Sequence, residues 1–137
     1  MKGRVVWAAV LGMAALMFVG CQQVTKVKPA LKKIHFDFDK YNIKPEWVPT
    51  MKANAEWLQK NPNVKIVIEG HCDERGTSEY NIGLGDRRAK SAKAYLVNLG
   101  VDGNRISTIS YGEERPVCTA HNESCWWQNR RAEFVAK

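Results

Sequence analysis

Acidic residues are scarce in this chain: 14 Asp and Glu stand against 21 Lys and Arg, a formal net charge of +7. The imbalance suits an anionic polymer or a membrane surface but specifies neither. No basic stripe with regularly spaced aromatics occurs, and Asp and Glu are interspersed throughout, which argues against nucleic acid. Internal repeats and low-complexity tracts are missing, which excludes a repeat architecture. GxSxG, HExxH and paired catalytic acids are also missing, so no hydrolytic machinery is legible. Long apolar runs are limited to one, Val5 to Val19. It falls short of the ~20 residues that span a bilayer.

That run follows Lys2 and Arg4 and ends at Gly20-Cys21. A short basic segment, an apolar stretch and a small residue before the cut describe a secretory signal over residues 1–20, with an uncleaved anchor as the alternative. Gly-Cys at that place resembles a bacterial lipobox, with Phe18 where such motifs usually carry Leu. The resemblance implies diacylation of Cys21, and several acyl chains on one terminus hold a membrane stably where a single chain is marginal. Gln22 rather than Asp after the cysteine implies sorting to the outer membrane. Loss of residues 1–20 removes Lys2 and Arg4 and lowers the charge from +7 to +5. Residues 21–33 read as the lipidated terminus and a polar, basic tether with one proline, reaching at most ~40 Å.

Residues 34–137 are long enough for one domain with its own core. Ile34 to Phe38 alternates and predicts a strand with Ile34, Phe36 and Phe38 on one face. A helix follows to about Lys60, with Pro45 and Pro49 in its opening turns and Trp47, Met51, Ala55 and Leu58 toward the core. Val64 to Gly70 predicts a central strand, and a second helix runs from about Ser78 or Tyr80 to Leu99, capped by Thr77 or Ser78 and stopped by Gly100. Arg105 to Tyr111 predicts a third strand. A loop with two cysteines leads to a helical turn near Trp126–Asn129 and a last strand over 132–135. The order β-α-β-α-β-(α)-β is an α/β sandwich, a small mixed four-stranded sheet with two main helices on one face.

The second helix carries the sharpest signal. At about 100° per residue, Asn81, Leu84, Arg88, Ala92, Tyr95, Leu96 and Leu99 fall within roughly 120° of one another, and Arg87 falls outside. A guanidinium on a core-facing stripe is costly unless an anion meets it. By sequence the best-placed carboxylate is Asp73, at the mouth of the preceding strand. Two arrangements fit: an internal Asp73–Arg88 ion pair that fixes the turn, or a socket with an acidic and a basic pole open to solvent.

FDFDKYNIKPE, VIEGHCDERGTSEYNIGLGDRRAKSAKAYL, ISTISYGEERP and NRRAEF, read together, resemble the OmpA-like peptidoglycan-binding domain family from Ile34 to the C-terminus. The resemblance implies a non-catalytic receptor that links the outer membrane to the cell wall. It implies that Asp73 takes the ammonium, and Arg88 the carboxylate, of a diaminopimelate side chain in the peptidoglycan stem peptide. Phe38, Asp39, Arg75, Asn81 and Leu84 would stand at or around that site. The chemistry is self-consistent, because a planar guanidinium pairs bidentately with a carboxylate. A stem ending in lysine lacks that carboxylate and would leave Arg88 unpaired. The resemblance also implies TolB and other Tol proteins as partners, and no cofactor, metal or nucleic acid. Departures are Cys72 beside the key aspartate, Gly85 where many members carry Ser, a short tether, and Cys118 and Cys125.

In an exported protein Cys118 and Cys125 are expected to close their loop as a disulfide. The rival is a metal site on Cys118, His121 and Cys125, which lacks an evident fourth ligand. Cys72 is then a lone packing thiol. His71 reads as a hydrogen-bonding strand-end residue, and Trp126-Trp127 as a candidate contact patch with at least one ring in the core.

Overall fold

A computed structural model describes residues 31–137; the expected signal peptide over 1–20, the expected lipidation site Cys21 and most of the expected tether lie outside the described residues. Strand β1 is Ile34–His35. A 3-10 turn at Pro45–Trp47 leads into α1, Val48–Lys60, and β2 spans Ile66–His71. Helix α2, Ser78–Asn98, is followed by a 3-10 turn at Gly103–Arg105, β3 at Ile106–Gly112, α3 at Glu123–Asn129 and β4 at Arg131–Ala136. The strands form one mixed sheet in the order β1-β4-β2-β3, with β2 and β3 parallel and β4 antiparallel to both of its neighbours. The predicted sandwich and the central place of β2 are as observed. No helix among the described residues is long and apolar enough to cross a membrane.

Local chemistry accounts for the boundaries. Pro49 stands in the first turn of α1, where no backbone donor is needed. The Thr77 hydroxyl accepts from the Tyr80 N–H at 3.2 Å and starts α2. Gly100, at φ +98°, ends it in a conformation that L side chains avoid. Even-numbered residues of β2 and β4 (Ile66, Ile68, Ala132, Phe134) join Met51, Ala55 and Leu58 of α1 and Ala89, Ala92 and Leu96 of α2 in one core. Their odd-numbered neighbours, among them Glu69, His71, Arg131, Glu133 and Val135, lie on the sheet face that carries neither main helix.

Three expectations are corrected. Strand β1 stops after two residues because the Phe36 carbonyl is taken by the Arg130 side chain (Nε–O 2.8 Å) rather than by a neighbouring strand. Phe38 leaves the core face and is 53% exposed, because Asp37–Lys40 turns on Asp39 at φ +56°. The end of the tether is docked: Lys32 exchanges two main-chain hydrogen bonds with the buried Asn54 side chain, and Leu31 packs against the core.

Helix α2 lies on the sheet through two glycines. A Cβ on Gly70 would stand far inside contact distance of the Gly85 carbonyl oxygen, and one on Gly85 would collide with the Ser110 hydroxyl. Gly85 therefore belongs to the helix–sheet seam. A serine there would require Ser110 to move.

Gly70→Ala is expected to destabilise the fold by about 3 kcal/mol, since backbone meets backbone and neither can yield cheaply; the midpoint of urea unfolding measures it. A pH dependence follows from two histidines. Burial, reinforced by Lys33 and Arg131 at His35 and by Arg131 at His71, pushes each imidazole from 6.5 down to about 4. Both stay neutral when folded but take a proton near 6.5 when unfolded. Stability is thus complete above about pH 6.5 and falls as the pH drops toward about 4. His35→Phe is expected to flatten that limb in urea melts run across pH.

Candidate functional site

Where β2 ends and α2 begins, the polar turn folds over a cavity of about 200 Å³. Every side chain proposed from the sequence for this site lines it. Tyr80, Cys72 and Gly76 line it too. The volume is below the ~300–1,000 Å³ typical of sites for whole small molecules and suits one polar head group.

Arg88 sits 1% exposed at the base. Neither sequence-based arrangement describes it in full. Its Nε donates to the Lys40 carbonyl (2.8 Å), Nη1 to the His71 carbonyl (2.9 Å) and Nη2 to the Asp37 carbonyl (3.1 Å). No carboxylate lies within 4.0 Å of it among the described residues, so the Asp73–Arg88 ion pair is not formed. A guanidinium has five N–H groups. Three are spent on carbonyls, leaving one on Nη1 and one on Nη2 without an oxygen acceptor among the described residues and with the Cys72 thiol as their neighbour. Burial pulls its pKa down, yet an arginine stays charged in proteins. The base of the cavity is a buried cation whose charge no local carboxylate balances.

Asp73 is equally buried but already paired. Its carboxylate accepts from the Arg75 backbone N–H (3.0 Å), from Arg75 Nε (3.2 Å) and Nη2 (2.9 Å), and from Arg130 Nη1 (3.3 Å). Burial pushes its pKa up, but these donors outweigh it and hold the carboxyl below its usual range. Arg130, in turn, is bidentate to Glu123 (2.6 and 3.2 Å). Arg75 is clamped between the rings of Phe38 and Trp126, at 3.8 and 4.1 Å from their centroids. It is the more exposed partner of Asp73, its side chain 31% exposed against 7% for Arg130.

The remaining residues build the walls. The Asn81 amide nitrogen is committed to the turn, donating to the Asp73 and Arg75 carbonyls (3.3 and 3.1 Å) and toward Glu113. Asn81 thus positions the turn more than it offers donors to a guest. Asp39 is exposed and bonded only to the Tyr80 hydroxyl, which makes it the carboxylate at the rim least occupied by cations. Leu84 supplies an apolar wall. Cys72 is a buried free thiol, its sulfur 3.2 Å from the Asn81 carbonyl, and burial pushes it up to about 11, so it is an unreactive thiol.

The loop after β3 is closed by the Cys118–Cys125 disulfide, so these cysteines hold no metal. It delivers α3 and Trp126 to the site. Trp126 is half-buried and bonds Glu74 (3.0 Å), and Trp127 is 45% exposed; neither ring enters the core. Sequence reasoning missed Tyr80 and Arg130, and it placed Trp126 in a contact patch rather than against Arg75. Arg130 lies 57 residues from Asp73, and no periodicity links them.

Arg88→Met is expected to destabilise the fold by about 3 kcal/mol, because one buried and two partly buried carbonyls lose a charged donor at once. Arg87→Ala, one residue away on the solvent side, is expected to stay within about 0.5 kcal/mol. Parallel urea melts compare them.

Residues 35–130 match the OmpA family. Peptidoglycan-associated lipoproteins are among the similar proteins. That of Rhizobium meliloti is 53% identical over 103 residues, 75% of this chain and 58% of the relative. That of Haemophilus influenzae is 43% identical over 121 residues, 88% of this chain and 79% of the relative. This chain thus spans little more than half of the Rhizobium relative's length. The crystal structure of the peptidoglycan-associated lipoprotein from Burkholderia pseudomallei superposes with a TM-score of 0.75 at 40% identity, over 77% of this chain and 90% of that one. The C-terminal domain of Helicobacter pylori MotB shares the fold alone, with a TM-score of 0.70 at 23% identity over 77% of this chain and 85% of that one. With a family match across most of the described domain and relatives of one kind along it, this chain belongs to the OmpA family.

Proposed function

We propose that this chain is a non-catalytic, lipid-anchored peptidoglycan receptor that holds the outer membrane to the cell wall. Its described domain lies in the periplasm, and the diaminopimelate side chain of the stem peptide is its guest. The observation that carries this reading is Arg88: a buried guanidinium without a carboxylate partner, with N–H groups left over at the base of a cavity the size of an amino-acid head. The guest's carboxylate would complete that set, which is the most favourable way to satisfy a desolvated cation. Its ammonium goes to the acidic side made by Asp73 and Asp39. Because Asp73 holds Arg75 and Arg130, the ammonium either draws Arg75 outward or takes the freer Asp39. Both carboxylates and Arg88 sit on elements fixed by core packing and carbonyl bonds, so little ordering is left to do on binding.

Cys21, as the lipid-bearing residue, would supply the membrane attachment, and its acyl chains the affinity for the bilayer. A second reading has the same face engaged by a protein of the Tol system, such as TolB, in cell-envelope integrity and division. Exposed Phe38 and Tyr80 at the cavity favour it, since aromatic side chains there suit a protein contact.

Co-sedimentation of the protein with purified sacculi tests the first reading. Binding is expected, with competition by free diaminopimelate and none by lysine. Arg88→Lys keeps the charge but loses the planar fork, and is expected to weaken binding by about tenfold or more. Asp73→Asn and Asp39→Asn separate the two candidates for the ammonium. Full sacculus binding by folded Arg88→Lys, Asp73→Asn and Asp39→Asn alike would remove the assignment. Displacement of a purified TolB by diaminopimelate would place both guests on one face.

A further inference from the structure

On the other face of the sheet lies a cluster that the peptidoglycan site does not use. Glu69 of β2 and Glu133 of β4 are direct cross-strand partners in the antiparallel ladder, both on the face without main helices. Like charges so opposed are destabilising unless something of opposite sign lies between them. His71, two residues along β2 on the same face, is 1% exposed, and neither of its ring nitrogens has a hydrogen-bond partner. The sequence reading of a hydrogen-bonded histidine is thereby overturned: its carbonyl serves Arg88, but its ring bonds nothing. A buried imidazole left so is a costly arrangement in need of a ligand.

We propose that Glu69, His71 and Glu133 form a binding site for one divalent ion of the zinc type. His71 Nε2 lies 3.5 Å from Glu69 Oε1 and 3.9 Å from Glu133 Oε2, and one ligand atom from each of the three falls within 4.8 Å of the others. Tetrahedral ligands held at ~2.0–2.2 Å from zinc stand roughly 3.3–3.6 Å from one another, so small side-chain rotations close this triangle on an ion. One imidazole and two carboxylates suit zinc, where calcium and magnesium prefer oxygen alone and cuprous ions prefer sulfur.

The surroundings are compatible. Tyr111 stacks on the imidazole with centroids 5.5 Å apart and fixes its plane. Burial keeps the imidazole unprotonated at neutral pH, so its lone pair is free for a metal. Burial, and then the Glu133 charge, raise the Glu69 pKa against the opposing pull of Arg115 and Arg131. Arg131 is the nearest opposing charge, its Nε 3.4 Å from Glu133 Oε1. Its Nη atoms are committed to the Asn129 and Arg115 carbonyls (3.3 and 3.0 Å). It therefore claims one oxygen of Glu133 and leaves Oε2, the one facing His71. Arg115 is drawn over the Tyr111 ring instead, 3.6 Å from its centroid. Two carboxylates and a doubly charged ion sum to zero, so Arg131 does not repel the filled site strongly.

The test is a zinc titration of the full chain, stripped with chelator and held in detergent, by calorimetry and by thermal melting. One equivalent is expected to bind and to raise the melting midpoint. Glu69→Gln and Glu133→Gln, partly exposed positions outside the apolar core, are each expected to weaken binding by about tenfold or more and to shrink the thermal shift accordingly. His121→Asn tests the exposed His121–Glu74 pair as the rival locus and is expected to change nothing. The proposal fails if no zinc binds at about 100 μM. It also fails if both Gln variants bind as the parent does, or if His121→Asn alone abolishes binding.

Discussion

One guanidinium joins three parts of this chain that share no secondary-structure pairing. Arg88 rises from the middle of α2 and donates to the carbonyls of Asp37, Lys40 and His71. The first two belong to the turn after β1, and the third to the end of β2. The His71 carbonyl is buried and the two turn carbonyls are partly so, and the cation and the turn satisfy each other. The turn's left-handed residue, Asp39, is what brings two of its carbonyls round to one donor. The same contact fixes Phe38 and Asp39 at the rim of the cavity. In the proposed reading the side chain that ties these parts together is also the one that would meet a guest, through its remaining N–H groups.

Electrostatic order in the site follows a chain of pairings. Glu123 binds Arg130, Arg130 and Arg75 bind Asp73, and Arg75 is sandwiched by Phe38 and Trp126. Each charge is offset by the next, and the chain of pairings stops short of Arg88. The acidic pole is quenched internally while the basic pole is not, so under the proposed reading a guest carboxylate would meet an unbalanced cation and a guest ammonium a competitor. The Cys118–Cys125 disulfide contributes indirectly, by shortening the loop that carries Trp126 onto Arg75.

The sheet divides the domain's chemistry. Its helix-covered face is closed by apolar packing and by a glycine seam so tight that α2 cannot shift along it. Its other face keeps Glu69, His71 and Glu133 in register, where the two-residue period of a strand puts them side by side. Ion binding there and peptide binding at the cavity would share only His71, whose carbonyl faces one site and whose ring faces the other.

The sequence alone determined a good deal. Periodicity placed both main helices and the sheet strands, and the wheel on α2 singled out Arg88 and Asn81 against Arg87, because a helix repeats every 3.6 residues whatever surrounds it. Proline, glycine and a threonine cap marked the helix ends for reasons internal to the backbone. Motif likeness named seven residues that line one cavity and left out Tyr80. What it left open was partnership. That Asp73 would turn to Arg75 and Arg130, that Arg88 would take carbonyls, that Phe38 would leave the core, and that the His71 ring would bond nothing depend on residues up to 57 positions apart. Hydrogen bonds are made across space, so only the folded arrangement decided which donor reached which acceptor.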